Sequence, residues 1–129
     1  MSGEFTLGKQ ERLKSNLSIQ ELLKHGKVVS FFPLKMYWDF SPYPHQKYPS
    51  MAAISVPKRK FRRAVDRNLM KRRLREAYRL DNNMLYETLD KHQQKIQLII
   101  LLLSDEFIPY DQLEKGMREI LRQLVNKLS

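Results

Sequence analysis

The sequence predicts a single α/β (α+β) domain over residues 1–129, with helices packed on a central sheet in the order α-β-β-β-α-β-α. Alternating and continuous apolar runs indicate strands, and stretches with helical periodicity lie between and after them. The 129 residues, 42% of them hydrophobic, are enough for one core. No repeat, low-complexity tract or linker divides the chain, so we expect one domain.

A short helix is predicted first. Ser18 and Glu21 form a capping box and Gly26 stands where a helix stop is expected, so the helix should run from about Ile19 to His25. A helix of this length depends on tertiary packing. Its buried side should carry Ile19, Leu22 and Leu23.

Strands are predicted in the next part of the chain. From Val28 to Phe40 the residues alternate, and one side should carry Leu34, Met36 and Trp38 while the other carries Lys35, Tyr37 and Asp39. A loop rich in proline follows over residues 41–50. Met51 to Val56 reads as a further strand, which Pro57 ends because it has no N–H for the ladder.

The second half of the sequence predicts two long helices, one before and one after a single strand. The first begins at Ala64, and around Asn82 and Asn83 it either continues past a weak point or gives way to a separate short helix. Ile96 to Leu103 is a continuous apolar run, which suits a strand covered on both faces. Tyr110 to Leu128 has the periodicity of an amphipathic helix that packs on the core.

The positive charge is concentrated in one segment. Residues 58–79 hold eleven Lys or Arg and two acids, a net charge of +9 in a chain of +10. On a helix, Arg67, Lys71, Arg75 and Arg79 would share one stripe, where like charges repel one another. Eight of the eleven cations are Arg, which suits bidentate phosphate contacts. The segment therefore predicts a surface for an external polyanion, with a merely solvated face as the alternative.

The sequence predicts no self-sufficient active site. Its three histidines are far apart and lack metal-ligand spacing, and its four glycines are too scattered for a phosphate-binding loop. There is no Cys to serve as a thiolate ligand or nucleophile. Catalytic and metal-ligating residues are therefore expected to be none, and the chain should act by binding.

Composition also narrows the partner. The first residues lack the apolar block of a secretory signal, and no apolar run approaches the roughly 18 residues of a membrane span, so a cytoplasmic protein is expected. Zinc-finger and basic-zipper patterns are missing, so no DNA partner is expected, and a membrane-surface role is disfavoured because the basic helix lacks large aromatic anchors. Tyr37 and Tyr78 are candidates for stacking on unpaired RNA bases, with the edge of the core as their alternative place.

One longer pattern resembles a known family. A strand ending in Ile54-Ser55-Val56 precedes Lys58-Arg59, and the helix then carries Ala64-Val65, Arg67-Asn68, Lys71-Arg72-Arg73, Arg75-Glu76 and Tyr78-Arg79. This pattern is similar to the signature of the protein subunit of bacterial ribonuclease P. The opening from Phe5 to Lys27, the late strand and the final helix also resemble that family, so the likeness covers nearly the whole chain.

The resemblance implies a function and partners. Members of the family bind a catalytic RNA, which with Mg²⁺ hydrolyses the phosphodiester bond that releases the 5′ leader from precursor tRNA. The expected partners are thus the ribonuclease P RNA subunit and precursor tRNA, with Mg²⁺ bound through the RNA and the substrate. The implied RNA-binding residues are Lys58, Arg59, Arg62, Arg63, Arg67, Asn68, Lys71, Arg72, Arg75 and Arg79. The implied leader-binding cleft, between the sheet and the first helix, would be lined by Ile19, Leu23, Tyr37 and Lys58.

The resemblance also implies an unusual left-handed βαβ crossover, as in the ribosomal-protein-S5-domain-2-like fold, where general rules would predict a right-handed one. The sequence departs from the family pattern at three places. Leu69 replaces a usual Arg, the loop before Ala64 is one residue longer and lacks a common Gly, and Ile19 and Leu23 replace aromatic residues. These departures shift the expected base stacking toward Tyr37. The alternative function is a non-catalytic basic RNA-binding module, such as a ribosome-associated factor.

Overall fold

A computed structural model describes residues 13, 16–43, 45–57, 63–104 and 107–129. In this part of the chain four helices and four strands follow one another. They are α1 (Asn16–His25), β1 (Lys27–Phe31), β2 (Leu34–Phe40), β3 (Ser50–Ser55), α2 (Ala64–Asp81), α3 (Asn83–Lys91), β4 (Ile96–Leu102) and α4 (Tyr110–Leu128). The mixed class and the single sheet confirm the predicted fold, with α3 as one additional helix.

The strands form one mixed sheet in the order β1-β2-β4-β3. β2 is antiparallel to both β1 and β4, whereas β3 and β4 run parallel. β4 is buried along nearly its whole length, which confirms the predicted strand with both faces covered. The parallel pair requires a crossover, and α2 and α3 supply it. The left hand of that crossover stays a prediction from the resemblance.

The alternating stretch from Val28 to Phe40 forms a hairpin rather than one strand. Phe31 pairs with Leu34, and the turn between them contains a cis peptide bond before Pro33. Pro33 has no N–H to donate to a ladder, so the strand cannot continue through it. The predicted facing of β2 is confirmed: Leu34, Met36 and Trp38 are buried, and Lys35, Tyr37 and Asp39 on the other face are half-buried.

The two faces of the sheet carry helix layers of different size. α2 and α4 pack on one face, and α3 packs against α4, so most of the core lies on this side. α1 packs alone on the other face over β2 and β4, around the buried side chains of Leu13, Leu22 and Ile99. The face under α1 is therefore only partly covered.

The first helix differs from its prediction at the start. It begins at Asn16, and Ser18 is its third residue and is buried, so the capping box is wrong. Leu23 was expected in the core but is exposed, because the side of α1 that meets the sheet is centred on Ser18 and Leu22. The stop at Gly26 is confirmed, since its N–H donates to the Leu22 carbonyl and a Cβ would meet that oxygen at 2.5 Å.

Asn82 separates α2 from α3. It ends the first helix with φ −87° and ψ 2°, and its carbonyl accepts from the N–H of Tyr86 in the second. The separate short helix, which the sequence left as an alternative, is thus the observed one. α4 has the predicted bounds, and its Gly116 lets the helix approach Pro33 closely, where an added Cβ would meet Pro33 Cδ at 3.2 Å. Across the described ranges, none of the helices combines the length and apolar character needed to span a membrane.

Candidate nucleic-acid interface

The basic helix α2 has an apolar side that is fully used by the core. Its buried residues are Met70, Leu74, Ala77 and Tyr78. They recur three or four positions apart, so they form one face of the 18-residue helix. This packing fixes the rotation of α2 about its axis and determines which side chains point to solvent.

The predicted RNA-binding residues of the helix are exposed or half-buried, and none of them is among the buried residues of that face. We call this surface the α2 ridge and define it as Arg67, Asn68, Lys71, Arg72, Arg75 and Arg79. Asn68 and Arg72 are exposed at its crest, and the other four are half-buried along its flank. The predicted stripe of cations is therefore brought together on one surface. Lys58, Arg59 and Arg62 lie outside the described residues.

Arg63 extends the α2 ridge at the start of the helix. It is the residue before the first turn, its side chain is 78% exposed, and it lies 3.9 Å from the Asp66 carboxylate. Its side chain does not cap the helix, so it leaves the first-turn N–H groups without that partner. Helix starts of this kind favour anions because the helix dipole adds to the free N–H groups.

Two residues of the motif serve the fold instead of the surface. Tyr78 is completely buried, and its hydroxyl lies 2.9 Å from Ser50 Oγ, so of its two predicted roles base stacking is excluded and a place in the core is observed. Its four-residue spacing from Leu74 places it on the buried face and could have revealed this. Arg73 points toward the loop before α4, where its Nη1 donates to the Ile108 carbonyl at 3.5 Å.

Two of the three acids of α2, Glu76 and Asp81, lie toward α4. Burial, and then the charge of Glu114, raise the pKa of Asp81, although Arg118 acts in the opposite direction. Burial, and then the charges of Glu114, Glu76 and Asp81, raise the pKa of Tyr110. Two of the helix's three acids therefore lie near Tyr110, at the interface with α4, while the cations of the ridge face outward.

The second group of predicted residues, those of the implied leader cleft, lies beside α1. Ile19 and Tyr37 are half-buried and pack with the cluster of Leu22 and Ile99, so the structure brings these two predicted residues together. Leu23 is exposed one turn after Ile19 on the same side of α1. The fourth predicted residue, Lys58, lies beyond the described part.

The structure adds Lys35 to this cleft. Its ammonium lies 5.0 Å from the centre of the Tyr37 ring, which fits a cation–π contact. The two residues are two apart on β2 and therefore share a face. The spacing of Lys35 and Tyr37 can be read from the sequence, but Lys35 lies outside residues 58–79, from which the binding residues were predicted. A cation beside a partly exposed ring can contact both a phosphate and a base.

Histidine and carboxylate side chains are the usual protein ligands of metal ions. In the described ranges no three or more His, Asp or Glu side chains are arranged to hold a metal ion.

Exposed and half-buried cations along one helix, with a partly exposed tyrosine and lysine on the opposite face of the sheet, are typical of one class, namely small basic RNA-binding proteins of α/β fold. A family model for ribonuclease P matches residues 7–125. The ribonuclease P protein component of Porphyromonas gingivalis strain W83 is 33% identical over 124 residues, which cover 96% of this chain and 90% of that protein. The corresponding protein of Finegoldia magna is 31% identical over 123 residues, 94% of this chain and 96% of that one. The chain belongs to the ribonuclease P protein family.

Solved structures agree with this fold. The RNase P protein from Thermotoga maritima superposes with a TM-score of 0.64 at 21% identity, covering 92% of this chain and 98% of that chain. The RNase P protein of Staphylococcus aureus gives 0.61 at 19% identity, covering 88% and 94%. Family membership makes the chain a component of an endoribonuclease that acts in tRNA processing, and it implies an RNA partner within a ribonucleoprotein.

Proposed function

We propose that the chain binds the catalytic RNA subunit of ribonuclease P through the α2 ridge and holds the 5′ leader of precursor tRNA in the cleft beside Tyr37. The RNA carries out the hydrolysis, and the protein positions the substrate and reduces the repulsion between the phosphates of the two RNAs. The orientation of α2 carries this proposal. Its apolar row is buried in the core, whereas Asn68 and Arg72 are exposed and the other four residues of the ridge, all cations, are half-buried, in a chain of net charge +10.

The α2 ridge suits a folded RNA backbone. Its cations repeat about every 6 Å along the helix, since each turn of 3.6 residues rises 5.4 Å. The exposed Arg72 can donate two parallel hydrogen bonds to one phosphate, while Asn68 beside it can both donate and accept. Binding by several such contacts releases counterions, so affinity should fall steeply with salt.

The cleft suits a single strand. Tyr37 offers part of a ring for stacking, and Lys35 beside it offers charge for the backbone. Ile19 and Leu23 supply aliphatic contacts where the family has aromatic ones, so Tyr37 carries the stacking. Precursor and mature tRNA differ by the leader, so this cleft should govern discrimination between them.

The proposal assigns Mg²⁺ to the RNA and the substrate. Mg²⁺ prefers oxygen ligands with near-octahedral geometry and usually binds phosphates together with retained water. When bound there, it supplies a Lewis acid and an activated water for phosphodiester hydrolysis. The protein's own residues bind and orient the RNAs.

The proposal is tested by reconstitution with the RNA subunit. We expect the wild-type protein to stimulate release of the 5′ leader and to bind precursor tRNA more tightly than mature tRNA. Tyr37→Ala should reduce that preference about tenfold, because base stacking contributes roughly 1–3 kcal/mol per base. The readout is the ratio of the two dissociation constants for the reconstituted enzyme.

Tyr48→Ala is the matched control. Tyr48 is also half-buried and also lies under a lysine, with Lys47 Nζ 5.6 Å from its ring, but it belongs to the loop before β3. We expect this variant to keep the wild-type preference. Equal losses for both tRNAs in Tyr37→Ala would overturn the leader cleft. No stimulation by the wild-type protein, together with recovery of ribosomal RNA on purification, would favour the ribosome-associated alternative.

A further inference from the structure

A cavity lies beside α1, away from the α2 ridge. Its volume is about 300 Å³, at the lower end of the range for small-ligand pockets. It is enclosed by α1, the end of β2, the start of the following loop and one residue of β4. The described residues that line it are Leu17, Ser18, Glu21, Leu22, His25, Asp39, Phe40, Pro42, Tyr43 and Gln97.

This cavity lies on the opposite flank of α1 from the leader cleft. Leu17, Glu21 and His25 are four residues apart and form one stripe of the helix. Ile19 and Leu23 form another stripe, about 200° away around the axis. Asp39 and Tyr37 share one face of β2, so α1 divides that face into two sites.

The walls of the cavity are aromatic and aliphatic. Phe40 and Tyr43 are 44% and 55% exposed, and Leu17 is 75% exposed. A contiguous exposed apolar patch of this kind marks an interaction site. The Phe40 ring already meets Trp38 edge to face with centroids 5.5 Å apart, and Lys27 Nζ lies 5.3 Å from its centre, so Tyr43 is the ring that can stack on a planar ligand.

Two carboxylates line the cavity, and they differ in whether they are already bonded within the chain. Asp39 Oδ1 accepts from Lys27 Nζ at 2.9 Å and from the N–H of Phe40 at 2.8 Å. Although partial burial alone would raise its pKa, these bonds and the Lys27 charge lower the pKa of Asp39, so it is ionised at neutral pH. Glu21 is 72% exposed at the rim, and its Oε2 lies 4.0 Å from His25 Nε2.

We propose that this cavity binds an unpaired guanine base of RNA, stacked against Tyr43 with its Watson–Crick edge on the Glu21 carboxylate. Guanine presents two adjacent donors, N1–H and the 2-amino group, and a carboxylate accepts both. Adenine, cytosine and uracil do not present two donors side by side. A base edge on a charged acceptor discriminates more strongly than one on a neutral group.

Charge favours a base over the two other ligands that would suit carboxylates and rings. The described lining holds no Lys or Arg, so a phosphate has no partner inside the cavity. An arginine side chain would donate to Glu21, but the Lys27 ammonium beside Asp39 would repel it. A guanine is neutral, and the phosphates flanking it would lie near Lys27 at the rim.

This inference rests on the proposed function only in requiring that the chain meets unpaired RNA. The test uses the protein alone, so its failure is distinct from a failure of the cleavage assay. The probes are GMP and IMP, which differ only in the 2-amino group. Residue-resolved NMR titration of the full chain reports binding at Leu17, Phe40 and Tyr43 and separates it from phosphate contacts on the α2 ridge.

We expect GMP to bind at the cavity about tenfold more tightly than IMP, as one charge-assisted hydrogen bond would give. Glu21→Gln should reduce that ratio to about one, whereas Glu87→Gln should leave it unchanged. Glu87 serves as the matched control, because it is an exposed glutamate on α3 and does not line the cavity. Tyr37→Ala should also leave the ratio unchanged, because Tyr37 lies on the other flank of α1.

Three results of the nucleotide titrations would overturn the assignment. The first is the absence of shifts at the cavity up to about 10 mM nucleotide, which is the limit for a weak fragment. The second is equal affinity for GMP and IMP, and the third is a preference for GMP that survives in Glu21→Gln. Binding of N-acetyl-arginine amide without binding of GMP would likewise overturn it in favour of a guanidinium site. If the protein shows the expected preference for GMP over IMP, replacing guanines of the leader with inosine identifies the RNA that supplies the base. Weaker precursor binding assigns the base to the leader, and unchanged binding assigns it to the RNA subunit.

Discussion

The two long helices α2 and α4 pack on the same face of the sheet and are nearly equal in length, with 18 and 19 residues, yet they use their charges differently. On α4 two of the four cations are paired within the helix: Arg118 Nη2 lies 3.0 Å from Glu114 Oε1, and Arg122 Nη2 lies 2.7 Å from Glu119 Oε2. On α2 six of the nine charged residues are Lys or Arg, and two of the three acids lie toward α4.

Burial follows the opposite trend. α4 buries eight residues and α2 buries four, so α4 contributes more apolar surface to the core. A helix optimised for folding alternates its charges in sign, because pairs three or four residues apart attract. A helix that keeps like charges close together gives up part of this stabilisation, and binding an anion would offset the loss. The comparison assigns folding mainly to α4, and in the proposed function α2 supplies the RNA-binding surface.

The largest expected effect tests the folding half of this comparison. Leu124 on α4 is completely buried, so Leu124→Ala should lower the free energy of unfolding by about 3 kcal/mol. Leu80 on α2 is 48% exposed, and Leu80→Ala should change it by less than about 0.5 kcal/mol. Urea denaturation followed by circular dichroism measures both. A loss of similar size in the two variants would contradict the assignment.

The next effect tests the binding half. Arg67→Ala with Lys71→Ala removes two cations four residues apart on the α2 ridge. We expect the affinity for the RNA subunit to fall about 10- to 100-fold and the slope of log affinity against log salt to decrease by about two. The free energy of unfolding should change little, because neither side chain belongs to the core.

α4 supplies the control for this pair. Arg118→Ala with Arg122→Ala removes two cations with the same spacing and lowers the net charge by the same amount. If binding depends on where the charges lie, this variant should keep its affinity within about twofold and keep its salt slope. Equal losses in the two double variants would mean that the RNA responds to net charge alone.

The sequence predicted the elements whose signal is local. The seven apolar residues of α4 repeat so regularly that its bounds, Tyr110 and Leu128, are the observed ones. β4 was recognised because its apolar run is continuous, and the α2 stripe because its cations recur every fourth residue. Each of these patterns lies within one element and needs no knowledge of its neighbours.

The missed features depend on contacts between distant residues. The hydroxyl of Tyr78 meets Ser50, 28 positions earlier, so the helical spacing could indicate its burial but not its hydrogen-bond partner. The cavity beside α1 joins a helix to the end of β2 and to Gln97 of β4. The hairpin turn at Pro33 is the exception, since a proline inside an alternating run is itself a signal against one continuous strand.

The smallest expected effect sharpens the comparison where the two helices meet. Asp81 ends α2 and faces Glu114 of α4, and its Oδ2 is buried with no hydrogen-bond partner among the described residues. Its pKa is raised mainly by burial, so the folded state holds a proton there more strongly than the unfolded state does. The contribution of Asp81 to stability is therefore fully present below the unfolded pKa and is lost as pH rises through the folded pKa.

At neutral pH, Asp81→Asn should raise the free energy of unfolding by less than about 1 kcal/mol, because the group is only partly buried. The gain should disappear toward pH 4, about the unfolded pKa, and Asp90→Asn, at an exposed site on α3, should show neither change. A gain that does not vary with pH would show that α2 and α4 meet without the electrostatic cost that the raised pKa implies.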